Sequence, residues 1–418
     1  MRVAIVGSGI SGLVCARLLS REHDVTVFEA GHWVGGHTNT VTVQIDGQAV
    51  DVDTGFIVYN ERNYPVFKRI LADLGVETDP TAMSFAVRCD RTGIEYNGSS
   101  LNGLFAQRRN LLRPAFLRLL KDIVRFNREG TADRERVPEN QTVDEYLSHG
   151  GYSREFAEQY LLPMGAAIWS CPTGEFAEFP MRFILEFYHN HGLMQLRDRP
   201  VWRVIRGGSK QYVERLIEPF RNRIRLNCGV TAVTRVADSV RVSHSGTVES
   251  FDEVVLACHA DQALRLLTDG DELEMSLLSQ FPYSRSTAVL HTDESVLPRR
   301  RRAWACWNYH VSSGSETRPT VTYHMNLLQH LQTRSSVLVT LNEQHAIDPS
   351  RMLGTFEYEH PVFSVTRAAT QARHQEVIRR RRTSFCGAYW RNGFHEDGVV
   401  SALAVCRQFG ISDWSEGE

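Results

Sequence analysis

The chain has 418 residues, a formal net charge of −2 and 42% hydrophobic residues, which suits a soluble enzyme of two intertwined domains better than one core. That balance gives no hint of nucleic acid, and no run reaches the roughly 18 apolar residues of a membrane span. Eight scattered cysteines without a C-x-x-C pair exclude a zinc-ribbon pattern and fit reduced thiols. The chain begins inside a strand with no stretch for a signal peptide, so a cytoplasmic protein is expected.

Residues 2–6 read as a buried parallel strand, followed by Gly7, Ser8, Gly9, Ile10, Ser11 and Gly12 in a G-x-G-x-x-G loop. An apolar helix follows to about residue 20, then a second strand over 24–28 that stops on Glu29. Gly7 permits the tight turn, Gly9 the approach of a pyrophosphate, and Gly12 close packing of helix on strand. The helix N-terminus offers free N–H groups to phosphate, and Glu29, followed by Ala30, can accept ribose hydroxyls while repelling a 2′-phosphate. This spacing predicts a dinucleotide site.

Gly35, Gly36, His37 and Thr38 read either as a second backbone approach to the same dinucleotide or as a turn between strands. A hairpin is expected over 41–52, turning at Asp46 and Gly47, and it runs into Asp53, Thr54, Gly55 and Phe56. The segment 104–128 alternates leucine or phenylalanine with arginine, which suits either a helix lying on anionic lipid or a solvated helix. Two runs of four arginines, 299–302 and 379–382, suit solvated loops or a membrane-facing rim. His189 and His191 sit among aromatics without metal-ligand spacing nearby, and a packing or capping role is expected of them.

The order of Gly7-x-Gly9-x-x-Gly12, Glu29-Ala30, Gly35-Gly36-His37-Thr38 and Asp53-Thr54-Gly55 resembles the flavin-containing amine oxidase and phytoene desaturase superfamily. The resemblance implies an α/β fold: a Rossmann-like FAD-binding domain (1–60, 201–267 and 376–418) with an interleaved substrate domain of mixed sheet and helices (61–200 and 268–375). It implies FAD, with Gly35, Gly36 and His37 against the pyrophosphate and ribityl chain, although arginine is the more usual third residue. Gly55 and Phe56 continue that wall, and Val230 is expected on the adenine. Gly387 is expected at a flavin-side turn, and a helix opened by residues 393–398, with Glu396, Asp397, Gly398 and Val399, at the flavin pyrimidine edge. An acid usually follows that turn glycine, but here Ala388 and Tyr389 stand.

Three readings follow from the resemblance. Stretches at 162–170, 190–193, 202–209, 323–326 and 392–398 resemble a bacterial subgroup associated with cyclopropane- and methyl-modified (furan) fatty acids, which implies desaturation of an apolar lipid chain. Amine oxidation is the second, but no lysine occurs after Lys210, where that family carries one near the flavin. A non-catalytic flavoprotein partner of a lipid-modifying enzyme is the third. His191, His259, His324, His395 and Glu396 are the acid–base candidates, with His324 the choice near the flavin face. Tyr389 and Trp390 form an aromatic wall or belong to the core. No metal is expected, the electron acceptor is left open, and membrane contact is expected to be at most peripheral.

Overall fold

The computed structural model describes residues 1–195, 199–312, 320–411 and 414. Its nucleotide half is built on a parallel sheet of five strands in the order Ile224–Arg225, Asp24–Phe28, Arg2–Val6, Glu253–Leu256, Thr383–Phe385. A parallel sheet needs cover on both faces, so its central strands are continuous apolar runs; Val3, Ala4, Ile5, Val254, Val255 and Leu256 are fully buried. On one face lie helices Ile10–Leu19, Lys210–Leu216 and His395–Gln408, around a core that includes Leu13, Tyr212 and Val399. On the other lie an antiparallel sheet of three strands, Val230–Arg235, Val240–His244 and Thr247–Phe251, and helices Ala260–Leu266 and Glu272–Leu278.

Helix Pro65–Asp73, placed by the sequence boundary at residue 61 in the other half, packs into this nucleotide core through Phe67, Ile70 and Leu71. Its N-terminal N–H groups are the reason: those of Val66 and Phe67 donate to the Glu396 carboxylate at 3.0 and 2.9 Å.

The second half rests on a mixed sheet of seven strands in the order Met352–Pro361, Tyr283–His291, Leu338–Leu341, Thr320–His324, Trp307–Val311, Phe85–Cys89, Ile94–Asn97. Helices between Pro114 and Asn190 form a separate layer with an aromatic core that includes Phe126, Phe156, Trp169, Phe176 and Phe187. The hairpin Thr40–Ile45/Gln48–Asp53 turns at Asp46 and Gly47, both at positive φ (52° and 81°), as a tight two-residue connection requires.

Asp53, at the hairpin's end, ties the halves together. Its carboxylate accepts the Ser209 N–H (2.8 Å), the Ser209 hydroxyl (2.7 Å) and the Gln329 side-chain amide (2.9 Å). Burial nevertheless pushes its carboxyl up to about 6. Among the described residues no helix is long and apolar enough to cross a membrane.

Candidate functional site

One cavity of about 940 Å³ runs from the end of the parallel sheet into the second half, and its two ends differ in material. The nucleotide end is mostly backbone: Gly7 to Ser11, Glu29, Ala30, Gly35, Gly36, His37, Gly55, Phe56, Val230 and Gly387 line it. Gly12 does not; a Cβ there would stand 2.1 Å from the Gly7 carbonyl oxygen, so its role is packing beneath the loop. A Cβ on Gly9 would meet nothing within 4 Å, which leaves the space above the loop for a ligand. Glu29 closes the strand end, accepting the Ser8 N–H (2.9 Å), the Ser8 hydroxyl (2.6 Å) and the Gly31 N–H (2.8 Å).

His37 lies beside His360 (ring centroids 5.0 Å), Tyr358 (5.2 Å) and His259 (6.2 Å). Burial, and then the neighbouring imidazoles, hold the His37 pKa well below its ordinary value, and burial takes His360 down to about 4. Both rings line the cavity, and among the described residues Nε2 of His37 and Nδ1 of His360 are buried without a hydrogen-bond partner. His259 is held by Glu359 (3.2 Å), which also takes a hydrogen bond from Arg285 (2.8 Å).

The far end is apolar. One wall is a row across three strands: Phe85, Trp307 and Tyr323 are direct cross-strand partners and all line the cavity. Opposite them the helical layer contributes Met164, Ile168, Trp169, Phe187 and Leu193, and Phe394 closes the junction, stacked on Phe187 at 5.1 Å. Among the described residues the carboxylates that line the cavity are Glu29, Glu357 and Glu359. Glu357 accepts from Thr287 (2.8 Å), and none of the three lies on the helical layer or the aromatic row.

His191 is the titratable side chain that the helical layer adds to the cavity. Its Nδ1 sits 2.9 Å from the Phe187 carbonyl oxygen, which can only accept, so the proton is on Nδ1 and the lone pair on Nε2. Burial takes its pKa down to about 4, so the ring is neutral near pH 7.

The residues expected from the sequence thus divide. Most of the glycine-loop and Gly35–Gly36–His37 positions share the cavity wall, but Thr38 turns into a buried network with Tyr212 (2.6 Å) and the Nε2 of His395 (3.1 Å). The C-terminal helix starts at His395, within the 393–398 stretch, where the Asp397 carboxylate accepts the Phe394 N–H (2.9 Å) and caps it. Gly398 lies inside the helix, where a Cβ would stand 2.8 Å from Ile10, and Glu396, Asp397, Gly398 and Val399 are absent from the cavity wall. Phe394 and His395 stand there instead, and His395 stacks on Phe56 at 3.6 Å.

Tyr389 lines the cavity with its hydroxyl buried and unpartnered among the described residues, whereas Trp390 turns away to stack on His374 at 4.3 Å. His324 is corrected: it is absent from the cavity wall and packs near Trp304 (5.7 Å). Successive strand residues face opposite sides, so Tyr323 takes the wall and His324 the reverse. His191, an acid–base candidate ranked behind His324 and also read as packed or capping, lines the cavity, and His360, unremarked in the sequence, is the position missed. No spacing signal marks either of them.

A model of the family described as flavin-containing amine oxidoreductase matches residues 10–408. Proteins of curated function give no match. Among solved structures the chain is similar to cyclohexylamine oxidase from Brevibacterium oxydans IH-35A (15% identity, 98% of this chain and 99% of that one, TM-score 0.71). It is also similar to a fatty acid isomerase from P. acnes that produces CLA (16%, 98% of each chain, 0.68). Reduced UDP-galactopyranose mutase matches as well (15%, 98% and 96%, 0.67). At such identities the likeness is one of fold, and those three names span three chemistries.

Proposed function

The chain belongs to the family of flavin-containing amine oxidoreductases, and from that premise we propose that it desaturates an unsaturated fatty acyl chain, one carrying a methyl or cyclopropane modification. That it is an FAD-dependent oxidoreductase follows from the family itself. FAD fits the residues present: open space over Gly9, a helix N-terminus behind it, Glu29 at the strand end and the unpartnered Nε2 of His37 on the wall.

The observation that carries the acyl reading is the far end of the cavity, aromatic and aliphatic on both walls, with no carboxylate on either among the described residues. A methylene chain gains roughly 0.8 kcal/mol for each CH₂ buried there. An alkylammonium would give up its hydration for ring faces alone. Desaturation removes a hydride from an allylic carbon and a proton from its neighbour, leaving a new C=C bond conjugated with the old one. When bound, FAD supplies the two-electron acceptor for the hydride. Nε2 of His191, neutral and with its tautomer fixed by the Phe187 carbonyl, is the chain's own group for the proton. Phe187 and Phe394 pack on the His191 ring, at 3.8 and 6.2 Å between centroids.

The test is anaerobic bleaching of the flavin visible band. Bleaching by a phospholipid with a monounsaturated or methyl-branched chain, with a diene found by mass spectrometry, is the expected result. Bleaching by primary amines or polyamines and not by lipid would overturn the reading in favour of amine oxidation.

A further inference from the structure

The two arginine runs look alike in sequence, and the fold treats them in opposite ways. In the run 379–382 every guanidinium has an acidic partner: Arg379 with Glu253 (2.9 Å), Arg380 with Asp271 (2.8 Å), Arg381 with Asp269 (2.7 Å) and Arg382 with Asp238 (4.0 Å). In the run 299–302 the backbone is held instead. The Glu95 carboxylate accepts the N–H groups of Arg299 and Arg300, each at 3.1 Å, and the Asn97 amide donates to the Trp304 carbonyl at 2.8 Å. All four side chains are left exposed, and among the described residues only Arg301 pairs with a carboxylate, Glu294 at 3.3 Å.

The same strand, Ile94–Asn97, brings a second group to this place. It leads into helix Leu101–Leu104, which packs against the turn Arg301–Ala303, and on into the turn Arg108–Leu112. There Leu101 is 76% and Leu112 88% exposed, with Leu111 and Leu117 also at the surface. Arg108, Arg109 and Lys121 stand exposed beside them with no ion pair to a described carboxylate, whereas Arg118 is taken by Glu155. Segments about two hundred residues apart thus meet as one basic face studded with leucines, on a chain whose overall charge is −2.

We propose that this face docks on an anionic lipid bilayer. Unneutralised guanidinium and ammonium groups meet lipid phosphates, and the leucines enter the headgroup boundary. The exposed large apolar side chains here are aliphatic, which gives bases no ring to stack on and argues against a nucleic acid. The face also adjoins the cavity: Phe85, on the aromatic row, accepts the Gly98 N–H at 3.1 Å. A bilayer seated here lies one hairpin from the apolar end.

The flavin-loaded protein is sedimented with vesicles of phosphatidylglycerol or phosphatidylcholine at rising salt. It is expected to bind the anionic vesicles and to leave them at high salt. The triple variant Arg299→Ser, Arg300→Ser, Arg302→Ser should weaken that binding roughly a hundredfold. The pair Leu111→Ser, Leu112→Ser should weaken it as well, and Lys68→Ser, outside the face, should not. All these substitutions are at exposed side chains, and an unchanged flavin spectrum checks that each variant is folded. Absence of binding to anionic vesicles, or binding that the variants leave intact, would overturn the proposal. So would binding to duplex DNA, but not to vesicles, that depends on these same residues. Vesicle binding needs no turnover, so it stands or falls apart from the acyl-chain reading.

Discussion

The two ends of the cavity solve the problem of recognition with different materials. The nucleotide end uses backbone amides and glycines, whose positions are fixed by the parallel sheet beneath them, so the ligand is recognised by shape and by N–H groups. The apolar end uses side chains from a sheet row and a helical layer, so its shape depends on how rings pack. Beneath the loop, at Gly7 and Gly12, the first end tolerates no added atom. The second can be re-cut by single substitutions, which fits neighbours of the same fold that carry unlike chemistries.

The largest expected effect is at the rigid end. Gly12→Ala drives a methyl into the Gly7 carbonyl and should yield protein with neither flavin absorbance nor a cooperative unfolding transition. Gly9→Leu separates fold from ligand: its φ of −68° suits any residue and nothing crowds its Cβ. That variant should unfold cooperatively yet carry no flavin on size exclusion. At the packed end Trp169→Ala removes a ring that touches Phe176, Phe179, Phe183, Phe187 and Phe394. A loss of about 3–5 kcal/mol in denaturant unfolding is expected, with flavin content retained, and early flavin loss would break the separation of the two ends.

The acid response crosses both ends. Burial lowers His191 and His360 to about 4 and His395 to about 3, so the native state binds fewer protons than the unfolded chain. Their contribution is complete above the unfolded pKa of about 6.5 and is lost as pH falls towards those lowered values, at about 1.4 kcal/mol per histidine per pH unit. Unfolding midpoints measured from pH 7 to pH 5 should fall accordingly, and His360→Asn should flatten the slope. The smallest effect distinguishes two histidines by position: His191→Gln should slow flavin bleaching by substrate roughly 100-fold, whereas His324→Gln should leave the rate unchanged.

What could be read in the sequence follows the same division. Gly7, Gly9, Gly12 and Glu29 are legible because each answers a constraint within thirty residues of chain. Phe85, Trp307 and Tyr323 are not, because their meeting is a matter of strand register between segments far apart. His324 shows how narrow the margin is: one step along the strand separates the cavity wall from its reverse side. The C-terminal helix is legible from its glycines, and Asp397, reaching back to cap Phe394, sets its start at His395.

The division has a consequence for the order of events during synthesis. The dinucleotide loop is made long before the segments that enclose it: Ile10 and Ser11 lie under Gly398, and Gly387, Phe394 and His395 complete the wall. The edge strand Thr383–Phe385 joins its sheet as late. A nascent chain therefore carries a phosphate loop with no enclosure until residues 383–398 have left the ribosome, and flavin capture waits for their docking. Supply of FAD then governs how many finished chains mature, rather than how early each one begins to fold.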